Sequence, residues 1–186
     1  MKKCLYPLDH YRYYGSTRRN LLKRIFMPVE LRFIMAFRKA QYYRDKKFYC
    51  PLYLFWELRK RFLSQKTHIQ IPTVTSIGPG MYIGHFGRII VNPKTVIGKN
   101  LTINTGVTIG QTNRGKHQGV PVIGDNVWIG TNAVIVGGIK IGTDVLVAPN
   151  AYVNFDVPDH SIVIGNPGTI ISHEYATEGY IERPIK

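Results

Sequence analysis

Acidic residues are scarce in this chain. Against 25 Lys and Arg stand only 11 Asp and Glu, a formal net charge of +14 although charged residues make up just 19% of the sequence. The shortage is local. Residues 1–66 hold 17 Lys and Arg against 4 Asp and Glu, a net of +13, whereas residues 67–186 hold 8 against 7, a net of +1. The first third also holds 15 of the 22 aromatic residues, so a boundary is expected near Lys66–Ile69. Cysteine is equally sparse. Cys4 and Cys50 are too few for a disulfide framework and lack metal-ligand spacing, which fits a reduced, cytoplasmic setting. Long apolar runs are missing as well. The opening MKKCLYPLDHYRYYG has no apolar stretch behind its lysines, so it does not read as a secretory signal. No segment reaches the roughly 18 apolar residues of a membrane span; the chain can lie on a membrane but is not expected to cross one.

What the chain has is a repeat of six. Apolar-then-small pairs fall at Ile77-Gly78, Ile83-Gly84, Ile97-Gly98, Ile103-Asn104 and Ile109-Gly110. They resume at Ile123-Gly124, Ile129-Gly130, Ile135-Val136, Ile141-Gly142, Val147-Ala148 and Val153-Asn154. A second apolar or small residue follows four later in most units: Met81, Leu101, Val107, Val127, Ala133, Ile139, Val145, Ala151. Six is neither a helical period nor that of a simple amphipathic strand. It fits short strands joined by tight corners around a triangular prism, three hexads to a coil, with the aliphatic residues pointing inward and stacked coils satisfying each other's backbone. Asn100, Asn126, Asn132, Asp144 and Asn150 suit the corners because Asn and Asp tolerate turn geometry. The phase breaks twice. Two extra residues are expected between Ile89 and Ile97, around Val91-Asn92-Pro93. The polar segment QTNRGKHQGVPV between Ile109 and Ile123 has to loop out, and loops on rigid scaffolds are where binding tends to reside.

The first third reads as helical. Pro28 precedes VELRFIMAFRKAQYY and Pro51 precedes LYLFWELRKRFLSQ, each a helix with Pro near its start. Arg38, Lys39, Lys46, Lys47, Arg59, Lys60 and Arg61 are then expected on exposed faces and helix ends. Such a region caps the open end of the solenoid, meets an anionic partner, or does both. Interleaved Tyr, Phe and Trp favour a membrane surface over nucleic acid, for which no motif is present.

The hexads, the segment IGPGMYIGHFGRIIVNPKTVIGKN, the loop and PVIGDNVWIGTNAVIVGG followed by VPDHSIVIGNPG resemble the serine acetyltransferase branch of the hexapeptide acyltransferases, and within it the transferases of capsular and exopolysaccharide synthesis. The resemblance implies a mainly β fold, a left-handed parallel β-helix over residues 67–171 with a helical region over 1–66, an extruded loop at 110–122 and a tail at 172–186. It also implies a homotrimer with active sites between adjacent subunits, and acetyl transfer from acetyl-CoA to a hydroxyl, with no metal. His85 falls on the family's catalytic histidine and is expected to be the general base, because an alcohol needs a base and its oxyanion needs donors. Gln70, Asn104, Arg114 and His117 are expected around the acceptor. His117 lies three residues before the position that a second histidine, next to Pro121, holds in serine-specific members. Gly110, Thr112, Lys116, Gly130, Thr131 and Pro149 are expected at the cofactor, mostly through turn backbone.

Two departures from serine-specific members shape the expected acceptor. Their acidic residue just before the catalytic histidine is Gly84 here, and their acidic residue fifteen before it is Gln70. An ammonium-bearing acceptor loses its counter-charge without the first. The expected reaction is therefore O-acetylation of a sugar, free or nucleotide- or lipid-linked, in surface-polysaccharide synthesis. Serine O-acetylation in cysteine biosynthesis is the alternative, and a non-catalytic scaffold or membrane-surface module the non-enzymatic one. A metal-dependent β-helix lyase is excluded, since the positions five either side of His117 are Thr112 and Val122.

Overall fold

The computed structural model describes residues 3–17, 27–44, 46 and 50–186. Among the described residues, three helices, α1 (Tyr6–Tyr14), α2 (Val29–Arg44) and α3 (Cys50–Thr67), precede fifteen short strands. The strands wind into a prism with three faces. The first face carries β1 (Ile69–Gln70), β4 (Ile89–Val91), β7 (Thr108–Gly110), β10 (Val134–Val136) and β13 (Tyr152–Val153). The second carries β2 (Ser76–Ile77), β5 (Val96–Ile97), β8 (Val122–Ile123) and β11 (Lys140–Ile141). The third carries β3 (Tyr82–Ile83), β6 (Thr102–Ile103), β9 (Val127–Ile129), β12 (Val145–Val147), β14 (Ser161–Ile164) and β15 (Thr169–Ser172). The strand pairs within each face are parallel down to β12–β14; only β15 turns back, antiparallel to β14.

The hexads do what their period requires. Each leading residue, from Ile77 and Ile83 through Ile141, Val147 and Val153, is buried, and so is each member of the second series from Met81 to Ala151. All five Asn and Asp assigned to corners have positive φ, between 53° and 62°. That backbone is open to Asn and Asp because their short polar side chains bond locally. Asn100 and Asn126 also bond each other from coil to coil at 2.8 Å.

The two-residue break lies elsewhere than expected. Ile83 pairs with Ile103, twenty residues on, but Val91 pairs with Ile109, eighteen on. The extra residues therefore sit between Ile83 and Val91, in the corner Gly84–Arg88. Ile89 misleads because it, too, is buried: β4 presents both Ile89 and Val91 inward. The second break adds eight residues to a coil, since Ile109 pairs with Ile135, twenty-six on. This loop is a small hairpin closed by paired bonds between Thr112 and Gly119.

The helices close the top coil with side chains. Asp9 accepts from the Met81 N–H at 2.8 Å. Arg38 donates to the Ile77 and Gly78 carbonyls and pairs with Asp9 at 2.7 Å. Arg12 reaches the Gly80 carbonyl and Thr102, and burial lowers its guanidinium to about 10. The Tyr13 hydroxyl accepts from the Ile83 N–H and donates to the Ile83 carbonyl, and burial holds it well above the usual phenol range. Backbone groups with no strand above them are thus paired, which also blunts the sheet ends.

This corrects the expected exposure of the basic residues. Arg38 and Lys60 are buried, Lys60 bonding Thr73 and Glu57; Arg59 and Arg61 are exposed, and Lys47 lies outside the described residues. Arg38→Ala should lower stability by about 3–5 kcal/mol, because it strands a buried carboxylate whose charge burial already disfavours. Chemical denaturation monitored by circular dichroism measures it; a loss below about 1 kcal/mol, the value of a surface pair, would show that the pair does not hold the cap.

At the other end, the chain from His173 onward runs back along the edge between the second and third faces. Asp144 accepts from the amides of Ala176 and Thr177 and from the Thr177 hydroxyl, and pairs with His160 at 2.9 Å. The Tyr180 ring meets Trp128 edge-on at 4.9 Å. Ile185 exchanges two bonds with Asn100, and the Glu182 carbonyl accepts from Arg12 at 2.6 Å.

Candidate active site

His85 stands on the edge where the third face hands over to the first, at the corner that carries the two extra residues. The corner is pressed onto the coil beneath it at two points: Gly84 lies against the Asn104 side chain and Gly87 against that of Thr105. A Cβ at either position would collide, and Gly87 also has φ of 146°, where side chains are rarely tolerated. With its flanks held down, the surplus chain bulges outward and leaves His85 and Phe86 exposed. Bulges of this kind re-aim side chains.

The Phe86 amide, one residue past His85, donates to the Glu30 carboxylate at 3.3 Å. Glu30 is in the first turn of α2, where the helix dipole favours a negative charge. The hexads give no hint of it. Its one sequence signal is scarcity: Glu30 is one of only four acids in residues 1–66.

The remaining expected residues separate into two groups. Asn104, Gly130, Thr131 and Pro149 follow β6, β9 and β12, and so continue down the edge that begins at His85. Asn104 is nearly buried and donates to the Ile129 carbonyl at 2.9 Å, so it wedges this edge from inside. At Gly130 a Cβ would meet the backbone of Ala148 and Pro149 in the next coil, at 2.9 Å and 2.5 Å, which is why glycine stands there. Gln70 is exposed on the first face, paired with Ile90.

Gly110, Thr112, Arg114, Lys116 and His117 belong instead to the edge between the first and second faces. Arg114 and Lys116 are exposed on the hairpin. His117 is half-buried, and its carbonyl accepts from Gly138 at 2.8 Å, which ties the hairpin to the coil below. Within one chain, then, His85 and the hairpin occupy different edges of the prism. A cavity of about 450 Å³ lies on the third edge, between the tail and Lys99, Asn126 and Asp144, and holds none of these residues.

The fold and its repeat define a hexapeptide-repeat parallel β-solenoid with N-terminal helices. Residues 121–154 match the family model described as bacterial transferase hexapeptide (six repeats). Among curated proteins, the chain is 37% identical over 108 residues to a serine acetyltransferase of Staphylococcus aureus (strain Mu50 / ATCC 700699), covering 58% of this chain and 51% of the relative. It is 38% identical over 108 residues to that of Staphylococcus epidermidis (strain ATCC 12228 / FDA PCI 1200), with the same coverage. The chain thus spans about half the length of the curated relatives it matches. Among solved structures, Neisseria gonorrhoeae serine acetyltransferase in complex with serine superposes with a TM-score of 0.69 at 26% identity, over 91% of this chain and 68% of that one. Soybean serine acetyltransferase complexed with serine gives 0.70 at 28%, over 89% and 67%. A serine acetyltransferase in complex with CoA gives 0.70 at 22%, over 90% and 68%, a likeness of fold.

These relatives overturn the expected sugar acceptor, and with it the placing of the chain in surface-polysaccharide synthesis. That expectation rested on the missing acid at position 84; a carboxylate, that of Glu30, nevertheless reaches the same corner from α2. The superposition over 91% of the chain extends well beyond the β-helix.

Proposed function

We propose that this chain transfers an acetyl group from acetyl-CoA to the hydroxyl of serine. The observation that carries the reading is His85, thrust outward on a bulged corner beside the Glu30 carboxylate, in a chain whose relatives are serine acetyltransferases. His85 takes the proton from the serine hydroxyl as its oxygen attacks the thioester carbonyl. The tetrahedral oxyanion collapses, the C–S bond breaks, and the departing thiolate recovers the proton from the imidazolium. O-acetylserine and CoA are the products. Glu30 supplies the negative charge that an ammonium-bearing acceptor needs, in place of a carboxylate at position 84 that the Asn104 side chain leaves no room for. Release of free thiol from acetyl-CoA with L-serine, against a panel of neutral polyols, tests the acceptor; a rate with polyols equal to that with serine would sink it.

The active unit is a homotrimer with its sites between chains. In support, His85 and the hairpin of Arg114, Lys116 and His117 lie on different edges of one chain, and a neighbouring copy is what can bring the hairpin of one against the His85 edge of the next. The Thr131 and Pro149 corners, stacked below His85, then face the CoA arm through their backbone, and Arg114 and Lys116 its phosphates. This arrangement predicts complementation. A His85→Ala chain and a chain with Arg114, Lys116 and His117 all changed to alanine should each be poorly active. Co-expressed, they should recover a substantial part of wild-type activity, since some interfaces join an intact edge to an intact hairpin. No recovery in mixed trimers isolated with two affinity tags would place the site within one chain. The setting for acetyl-CoA chemistry is the cytoplasm, and the basic first third is the part of the chain we assign to an anionic surface there.

A further inference from the structure

α3 turns its apolar side outward. Leu54, Phe55, Leu58 and Phe62 are each more than half exposed, Phe62 at 60%. Leu54, Leu58 and Phe62 follow one another at intervals of four, and Phe55 lies seven before Phe62, so the four form a single stripe along the helix. Arg59 and Lys66, also seven apart, flank the stripe on one side and Arg61 on the other, all exposed. Inward residues explain why the stripe has no cover among the described residues: Lys60, Leu63 and Thr67 are buried, and they face α2 and the first coil. Glu57, the helix's one acid, is turned in toward Lys60 and Thr73 and lies 3.8 Å from Arg61. The outward side therefore presents large apolar groups between cations, with no acid among them.

We infer that α3 is the membrane-contact element of this protein, lying in the interface of an anionic bilayer with Leu54, Phe55, Leu58 and Phe62 among the acyl chains and Arg59, Arg61 and Lys66 at the headgroups. A stripe of aromatic and aliphatic residues edged by Lys and Arg is the composition of an interfacial helix, and exposed apolar patches of this kind mark contact surfaces. Spanning is ruled out by Arg59, Lys60 and Arg61 in the middle of the helix, and among the described residues no helix is long and apolar enough to cross a membrane. Charge selects the lipid over a second copy of the chain. Two α3 faces brought together would oppose Arg59, Arg61 and Lys66 to the same cations, within a region of net charge +13. Anionic headgroups would neutralise them.

This inference rests on the reading of the first third as the surface-binding region and is independent of acetyl transfer. The test is flotation of the full chain with phosphatidylcholine vesicles containing phosphatidylserine, and with phosphatidylcholine alone. The chain should float with the first, weaken as salt rises, and stay behind with the second. Phe55→Ser with Phe62→Ser should reduce partition about tenfold or more, since two large side chains lose their burial, while leaving the melting curve near that of the parent. Arg59→Gln with Arg61→Gln and Lys66→Gln should abolish the preference for anionic lipid. Flotation unchanged in both variants would leave the first third as the binding region but overturn the role of α3. Absence of flotation in the parent chain would overturn both readings. A fall in particle mass on making the Phe55/Phe62 variant, seen by analytical ultracentrifugation, would overturn it in favour of self-association.

Discussion

Replacing His85 with alanine should lower the rate of acetyl transfer to serine by about 10²–10⁴-fold, the usual contribution of a positioned general base. The effect should fall on kcat and on kcat/KM alike, because a base acts on the proton in flight and contributes little to holding either substrate. Stability should hardly move. His85 is exposed on a corner whose packing is done by Gly84 and Gly87, and surface replacements of that kind stay within about 0.5 kcal/mol. Thiol release measured beside a thermal melt separates the two outcomes. A variant that melts like the parent and retains its rate would remove His85 from the chemistry.

Changing Glu30 to glutamine should raise KM for serine by roughly 10–100-fold, the worth of about 1.5–3 kcal/mol for a hydrogen bond to a charged group, with kcat changed much less. The replacement is chosen because its amide oxygen can still accept from the Phe86 amide, so the His85 corner keeps its support while the charge is lost. A hydroxy acid without the amino group makes the control. The parent and the variant should handle it equally poorly, so that the charge effect appears only where an ammonium is present. If KM for serine is unchanged, Glu30 holds the corner and nothing more.

The solenoid was legible because one period of six states both burial and corner geometry, and every hexad from Ile77 to Val153 obeys it. The same period concealed where the coil swells. Within a three-residue strand, inward positions recur at two, so Ile89 imitates the next hexad while Val91 occupies it, and the surplus reads as lying after Ile89 rather than around the histidine. In the helices the misreadings have a different origin. Arg38 and Lys60 look like surface charge in a helix, because Arg38 finds its partners 29 to 40 residues away, on Asp9 and the first coil, and Lys60 is held between Glu57 of its own helix and Thr73 of that coil. α1 is illegible for a related reason: YPLDHYRYY has no aliphatic period, and its Asp, Arg and Tyr side chains face the backbone of a coil that only tertiary structure supplies. Glu30 belongs with these. A carboxylate that serves a corner 56 positions away has no local pattern to betray it. The division of the site residues between two edges follows from which face each strand joins, and that order emerges once the eight-residue loop has been counted out of its coil.

The tail that runs from Asp144 past Trp128 to Asn100 and Arg12 changes what kind of object the prism is. A stack of coils is by itself a one-dimensional array, in which each layer feels only its neighbours and the ends can fray independently. Here the segment after the last layer is bonded to the helix that precedes the first. Layers far apart in the stack are thereby coupled, and loosening either end loosens both. Amide exchange should then register the prism as one opening unit rather than a gradient from tip to middle, with the Arg12–Glu182 contact as the clasp that makes the array a closed circuit.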